Sequence, residues 1–377
     1  MISRWLGWFS VRFTLAALVV LWTLPTFGLF ISSLRDKDSL ATTGWWTALS
    51  TREENDRART GGAEDQVQAG DQYVIQGNVF EDTGKSARIS AFGDGFLGGE
   101  LTDHKVGDVV ELEDGTTFTL DKEGNYEYTS STPFEIDRGE RFFYRAEFDP
   151  RFTLDNYREV LDDADMGDAF INSLTVTIPS TIFPVAIAAF AAYAFSWMNF
   201  PGRKAIFIIV VGLLVVPLQM SLIPLLRIYN DLGLVGTYPG IWLAHTGFGL
   251  PLAIFLLRNY IGTMPREIIE SAKIDGASHF SIFIRLIVPL SVPALASFAI
   301  FQFLWVWNDM LVALVFLGKH PDKTVLTVAL RELSGSRGDN WEIMTSAAFV
   351  SIAMPLVVFF ALQRYFVRGL MAGSVKG

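Results

Sequence analysis

Apolar residues in this chain gather into six long blocks. They run from about Phe13 to Leu34, Ala169 to Trp197, Ala205 to Leu226, Tyr238 to Leu257, Leu286 to Leu317 and Ile343 to Gln363. About 20 helical residues cross the hydrocarbon core of a bilayer, and each block is long enough to do so. The apolar stretch of the first block is longer than that of a secretory leader. No Ala-x-Ala cleavage site follows it, so it reads as a retained helix. The pattern predicts an all-α integral membrane protein with six transmembrane helices.

Between the first two blocks the period changes. Phe118-Thr-Leu120 and Tyr126-Glu-Tyr128 alternate apolar and polar positions on either side of Asp121-Lys-Glu-Gly-Asn125, which predicts a β-hairpin. Gln72–Gln76 and Arg141–Arg145 read as further strands, and the polar stretch 51–70 reads as a linker. The expected organisation is a first helix within 1–34, then a segment 35–168 carrying a small β-rich domain at about 70–147. Residues 169–377 supply the other five helices, an inside loop at 258–285 and a tail at 364–377.

Charge separates the same regions. Residues 33–168 hold 14 Lys/Arg and 31 Asp/Glu, a net −17, while the other 241 hold 16 and 9, a net +7, which together give the −10 of the whole chain. In the short loops, Lys/Arg is enriched on the cytoplasmic side of a membrane protein. With the N-terminus inside, eleven such residues fall inside and five outside. Both termini are therefore expected in the cytoplasm and the β-rich segment outside the membrane.

Several chemistries are excluded. The absence of cysteine removes disulfides, thiolate metal sites and a Cys nucleophile. The four histidines show no ligand spacing, so no metal site is expected. Gly84-Lys-Ser86 is not a phosphate loop, because Val79 stands where that motif needs its first Gly. No catalytic triad or nucleotide fingerprint is visible and nothing points to nucleic acid, so no catalytic residue or bound cofactor is expected.

Two groups of residues invite function. The inside loop contains Pro265, Glu267, an apolar set (Ile268, Ile269, Ala272, Ile274) and a stop at Gly276. This predicts a short amphipathic helix that either rests on lipid or docks into a partner. Within the apolar blocks lie Gln219, Gln302, Asn308 and Asp309. Polar groups are costly there; they either line a translocation path or gate, or bond neighbouring helices. Trp305 and Trp307 could stack on a ligand ring, although packing is the plainer reading.

The loop also resembles a known signature. Glu270-Ser-Ala272, then Gly276 after three residues, then Leu286-Ile-Val-Pro289 after nine more, is similar to the coupling loop of ABC-importer permeases. That loop reads Glu-Ala-Ala, three residues, Gly, nine residues, Ile-x-Leu-Pro; here Ser271, Leu286 and Val288 are the departures. Phe152–Tyr157, Trp307-Asn-Asp309 and the tail Tyr365–Gly377 resemble the maltose-type, six-helix carbohydrate permeases. A large insert after the first helix is similar to that of alpha-glucoside permeases.

The resemblance implies a non-catalytic permease subunit in a bacterial plasma (inner) membrane. It would form a heterodimer with a second permease subunit, beside two cytoplasmic ATPase subunits that use ATP with Mg and an extracytoplasmic solute-binding protein. It places Glu270, Ser271, Ala272, Ile274, Asp275, Gly276 and Ala277 at the ATPase, with tail contacts from Gly373, Ser374, Val375 and Lys376. Two rivals remain at this point: a secondary transporter, and a membrane-anchored sensor or enzyme acting through its outer domain.

Overall fold

The computed structural model describes residues 2–81, 87–93, 104–112, 114–136, 138–163, 165–318, 320–336 and 340–372. Gly84–Ser86 and the tail residues Gly373–Lys376 lie outside the described residues. The chain divides into two compact units, one of residues 1–34 with 154–377 and one of residues 35–153.

The membrane unit starts with α1 (Ile2–Ser33), and α2 (Lys37–Thr42) opens the second unit. After the strands come α3 (Asp155–Arg158), α4 (Met166–Trp197), α5 (Arg203–Leu213), α6 (Leu218–Asp231), α7 (Tyr238–Ile261) and α8 (Arg266–Ile274). The remainder are α9 (His279–Ile282), α10 (Val288–Trp307), α11 (Leu311–Phe316), α12 (Leu326–Ser336) and α13 (Trp341–Ala372). Among the described residues, five helical spans are long and apolar enough to cross a membrane, or up to six if the bent pair α5–α6 counts as one.

That bent pair corrects the sequence expectation of a continuous third span. α5 and α6 meet at 104°. Pro217 sits at the break with φ −63° and ψ 125°; it has no N–H to continue the ladder, and it pushes Val216 out of the helical region. The fifth block is also broken. A π-helical turn at Phe283–Ile287 precedes Pro289, and α10 stops at Trp307. The Asp309 carboxylate then accepts from Val312 N at 3.1 Å and starts α11.

Proline shapes the bundle in a second way. Each helical Pro leaves the carbonyl four residues earlier without a donor, which is costly in hydrocarbon unless a neighbour supplies one. Pro179 and Pro184 in α4 and Pro355 in α13 free the carbonyls of Thr175, Ser180 and Ser351. Trp242 Nε1 of α7 donates to Thr175 O at 2.9 Å. Gln302 Nε2 of α10 donates to Ser180 O at 3.2 Å, and Trp307 Nε1 to Ser351 O at 2.9 Å. These three vacancies are thus filled by side chains of other helices.

The second unit is built from two antiparallel sheets. One has the order β1 (Arg52–Arg59), β9 (Arg141–Phe148), β4 (Arg88–Gly93), β5 (His104–Lys105). The other runs β2 (Val67–Ala69), β3 (Gln72–Asn78), β8 (Asn125–Ser130), β7 (Thr117–Leu120), β6 (Val109–Glu111). The expected hairpin is present, with Leu120 opposite Tyr126 and Phe118 opposite Tyr128. Alternate residues of both sheets meet in one core containing Ile75, Phe92, Phe118, Leu120, Phe142 and Tyr144. Phe118 and Phe142 bridge the sheets with ring centroids 4.7 Å apart.

The stretch expected as a linker is not one. Arg52–Arg59 pairs along its whole length with Arg141–Phe148. Its only apolar residue is Ala58, so it carries no alternation to read. A charged edge strand of this kind resists pairing with another chain. The strands therefore begin at residue 52, and the compact unit that holds them at residue 35, earlier than the expected 70.

Candidate functional site

α8 forms as the loop pattern predicts. Pro265 precedes it, Glu267 lies in its first turn and Lys273 in its last. It ends in a Schellman arrangement: Ala277 N donates to Ala272 O and Gly276 N to Lys273 O, both at 3.0 Å. Gly276 has φ +78°, the left-handed conformation such an end requires.

The apolar residues of α8 do not share one side. Ile269 is fully buried in a cluster with Leu257, Ile261, Ile282, Phe283 and Ile287, and Ala272 and Ala277 pack against it. Ile268 and Ile274 point outward, Ile274 being 86% exposed, because positions 268 and 274 lie about 100° and 140° away from the buried Ile269 around a helix. Glu270, Ser271, Asp275 and Gly276 are exposed with Ile274. The helix is therefore clamped to the ends of α7 and α10 by one short face, and its other faces are open. The following turn is fixed too: Ser278 caps α9, and His279 Nδ1 pairs with Tyr193 OH of α4 at 2.8 Å.

The four intramembrane polar residues do not share one site; only Gln302 and Asp309 approach a common residue, His245. Gln219 is exposed on α6, and Asn308 is exposed with its amide bonded to Leu304 O of its own helix at 2.7 Å. Gln302 is fully buried; besides Ser180 O, it donates to His245 O at 3.4 Å. Gly249 makes this possible, since a Cβ there would come within 2.7 Å of the Gln302 amide. Asp309 approaches His245 Nε2 at 3.9 Å, the imidazole being 1% and the carboxylate 11% exposed.

The sequence pattern alone does not set His245 apart from the other three scattered histidines. An ionisable residue inside an apolar block was the available signal. Trp305 stands edge-on to the His245 ring at 5.8 Å. It also lines an open cavity of about 470 Å³ between α5, α6, α7 and α10, together with Gln302, Ser221, Tyr229 and Phe248. Trp307 instead packs internally, stacked on Phe303. Among the described residues, no cluster of three or more His, Cys, Asp or Glu could hold a metal ion.

Comparison with known proteins shows the family. The alpha-glucoside transport system permease protein AglG of Rhizobium meliloti (strain 1021) is 60% identical over 373 residues, 98% of this chain and 97% of the relative. The osmoprotective compounds uptake permease protein GgtD of Synechocystis is 45% identical over 97% of this chain and 91% of the relative. Alignments of that extent must include the β-rich domain. The melibiose/raffinose/stachyose import permease protein MelC of Bacillus subtilis (strain 168) is 31% identical over 66% of this chain and 89% of the relative. Residues 173–371, which carry α8 and the buried Gln302–His245–Asp309 group, match the family described as the inner membrane component of binding-protein-dependent transport systems, and the chain belongs to that family.

Proposed function

We propose that this chain forms half of the translocation pathway of an ATP-binding-cassette importer for an oligosaccharide of the alpha-glucoside or maltose kind. A second permease subunit completes the pathway, two cytoplasmic ATPases hydrolyse ATP with Mg, and an extracytoplasmic solute-binding protein delivers the sugar. Both termini and α8 lie in the cytoplasm, and the β-rich domain lies outside. The observation that carries this reading is α8, a rigidly ended helix whose open faces are free while Ile269 locks it into the bundle.

The mechanism follows from that lock. Glu270, Ser271, Ile274, Asp275 and Gly276 offer an exposed surface to an ATPase cleft, and Ala272 and Ala277 tie the same element to the bundle. A displacement of α8 as the ATPases close must carry the ends of α7 and α10 with it, because a close-packed core transmits movement rather than absorbing it. The tail residues Gly373, Ser374, Val375 and Lys376 add contacts to the ATPase. Inside the membrane, Gln302 and Asp309 act at the gate, where their bonds join α4, α7 and the α10–α11 break; Gln219 and Asn308 border the path.

The substrate class rests on AglG, with its identity running through both units. Uptake of radiolabelled alpha-glucosides by cells lacking this chain, and by the same cells with it restored, tests the proposal. No difference in uptake between the two would refute it. The likeness to GgtD favours one second reading, uptake of an osmoprotective compound; competition of such compounds against alpha-glucoside uptake separates the two.

A further inference from the structure

The β-rich unit carries an ordered apolar turn that neither its own core nor the proposed transport cycle uses. Trp45–Thr47 form a single 3₁₀ turn that is two-sided. Trp45 is half-buried and Ala48 buried, whereas Trp46 is 74% and Leu49 83% exposed on the other side. The exposed indole is held in place. A Cβ at Gly44 would come within 2.5 Å of the Trp46 ring, and the Trp45 ring meets it edge-on with centroids 6.1 Å apart, so the indole rests against its own turn while remaining 74% exposed.

The position of this turn along the chain says what covers it. Ser33 ends α1, and Arg35, two residues on, forms a β-bridge with Phe152. The strand ladder then begins at Arg52 opposite Phe148. The excursion 36–51 thus leaves and rejoins within four residues of the returning strand, roughly 13 Å of extended chain. It does so at the end of the unit where the chain enters from α1, the end opposite the Arg59–Arg141 pair. The buried Arg35 guanidinium keeps the excursion short. It donates to Thr43 O at 3.1 Å and to Ser39 O at 3.0 Å, so the backbone returns to Arg35 just before Gly44 and Trp45. Phe152, at the same end, is itself 44% exposed.

We propose that Trp46 and Leu49 form a membrane foot, inserted in the headgroup–acyl boundary of the leaflet into which α1 emerges. Indoles concentrate at that depth because the ring is apolar while its N–H can bond to headgroups and water. Asp36, Lys37 and Asp38, on the same excursion, suit the zwitterionic headgroup layer.

The absence of native cysteine permits a direct test. The full-length chain, purified with the subunits that accompany it, is prepared as Trp46→Cys, Leu49→Cys and Val109→Cys. Val109, 68% exposed on β6, is the aqueous control. Each variant is spin-labelled and reconstituted in phosphatidylethanolamine–phosphatidylglycerol vesicles. Power saturation with oxygen and with a water-soluble nickel complex then reports depth. The foot predicts an oxygen-to-nickel accessibility ratio several-fold higher at 46 and 49 than at 109. Equal ratios at all three sites would place the turn in water and overturn the proposal. Low accessibility to both reagents at 46 and 49 would mean a protein partner covers the turn, and would overturn it equally.

Discussion

Gln302 donates to the carbonyl oxygen of Ser180, 3.2 Å away, and Pro184 is the reason that oxygen is available. The Trp307–Ser351 bond at 2.9 Å stands in the same relation to Pro355. A proline in one helix thereby becomes an attachment point for the next, and the bundle gains directional contacts that lipid-like side chains cannot provide.

These bonds should behave as coupled pairs. Trp307→Phe keeps the stacking on Phe303 but orphans Ser351 O, and should cost about 1 kcal/mol. In a Pro355→Ala background the new backbone N–H can serve Ser351 O, so the same substitution should cost less. Thermal unfolding of the four variants in detergent gives the coupling energy. Strict additivity would show that the proline and the indole act independently.

At α8, Gly276→Val forces a β-branched residue to φ +78°, at a cost of about 1–2 kcal/mol. Glu270→Lys reverses an exposed charge without touching the core. Both should leave the chain in the membrane, reduce co-purification of the ATPase and abolish sugar uptake. A lipid-resting helix predicts the opposite for Glu270→Lys, because a cation near anionic headgroups is neutral or favourable. Full ATPase recovery with full uptake in both variants would remove the coupling role from this loop.

The proposed orientation can be read with single cysteines. Val109→Cys should react with a membrane-impermeant maleimide in intact cells. Lys204→Cys, exposed at the start of α5, should react only after the cells are opened. The reverse result would invert the topology.

The β-rich domain should be separable from membrane insertion. Arg52 and Phe148 are cross-strand partners, so a linker of a few Gly/Ser residues can replace 52–148 without pulling on the rest. The shortened chain should insert normally but transport poorly, with the deficit depending on salt, because the segment lost is acidic and exposed charge contacts are screened. Unchanged transport at all salt concentrations would show that the domain is dispensable.

Tyr144 supplies a pH dependence in the same domain. Burial first, then the neighbouring Asp56, pushes its phenol up from 10.0 to about 12. The folded state therefore holds a proton that the unfolded chain has begun to lose. The resulting stabilisation is complete below pH 10 and disappears as pH rises towards 12. Loss of near-UV circular dichroism should fall in that window, and Tyr144→Phe should move it upward. An unchanged alkaline transition would show that another group controls it.

The chain's own pattern was enough to identify a multi-span helical membrane protein with a β-rich insertion and a Gly-ended amphipathic loop. Block length, the two-residue period around Tyr126 and Tyr128, and Gly276 each express a local rule. Local rules could not disclose where elements break or which polar groups meet. Whether Pro217 merely kinks a span or turns it through 104° depends on what the two arms pack against. Arg52–Arg59 carries almost no apolar signal, because its place is set by backbone pairing with a strand whose partner residues lie 82 to 96 positions away (141 − 59 and 148 − 52). His245 and Asp309 lie 64 positions apart in the sequence, and Ile269 and Ile274 look equivalent there. Only the packing of α7 against the α10–α11 break, and of α8 against the bundle, decided which ionisable groups pair and which isoleucine remains open to a partner. Those choices arise from contacts between distant segments, and hydrophobic periodicity along one segment carries no information about them.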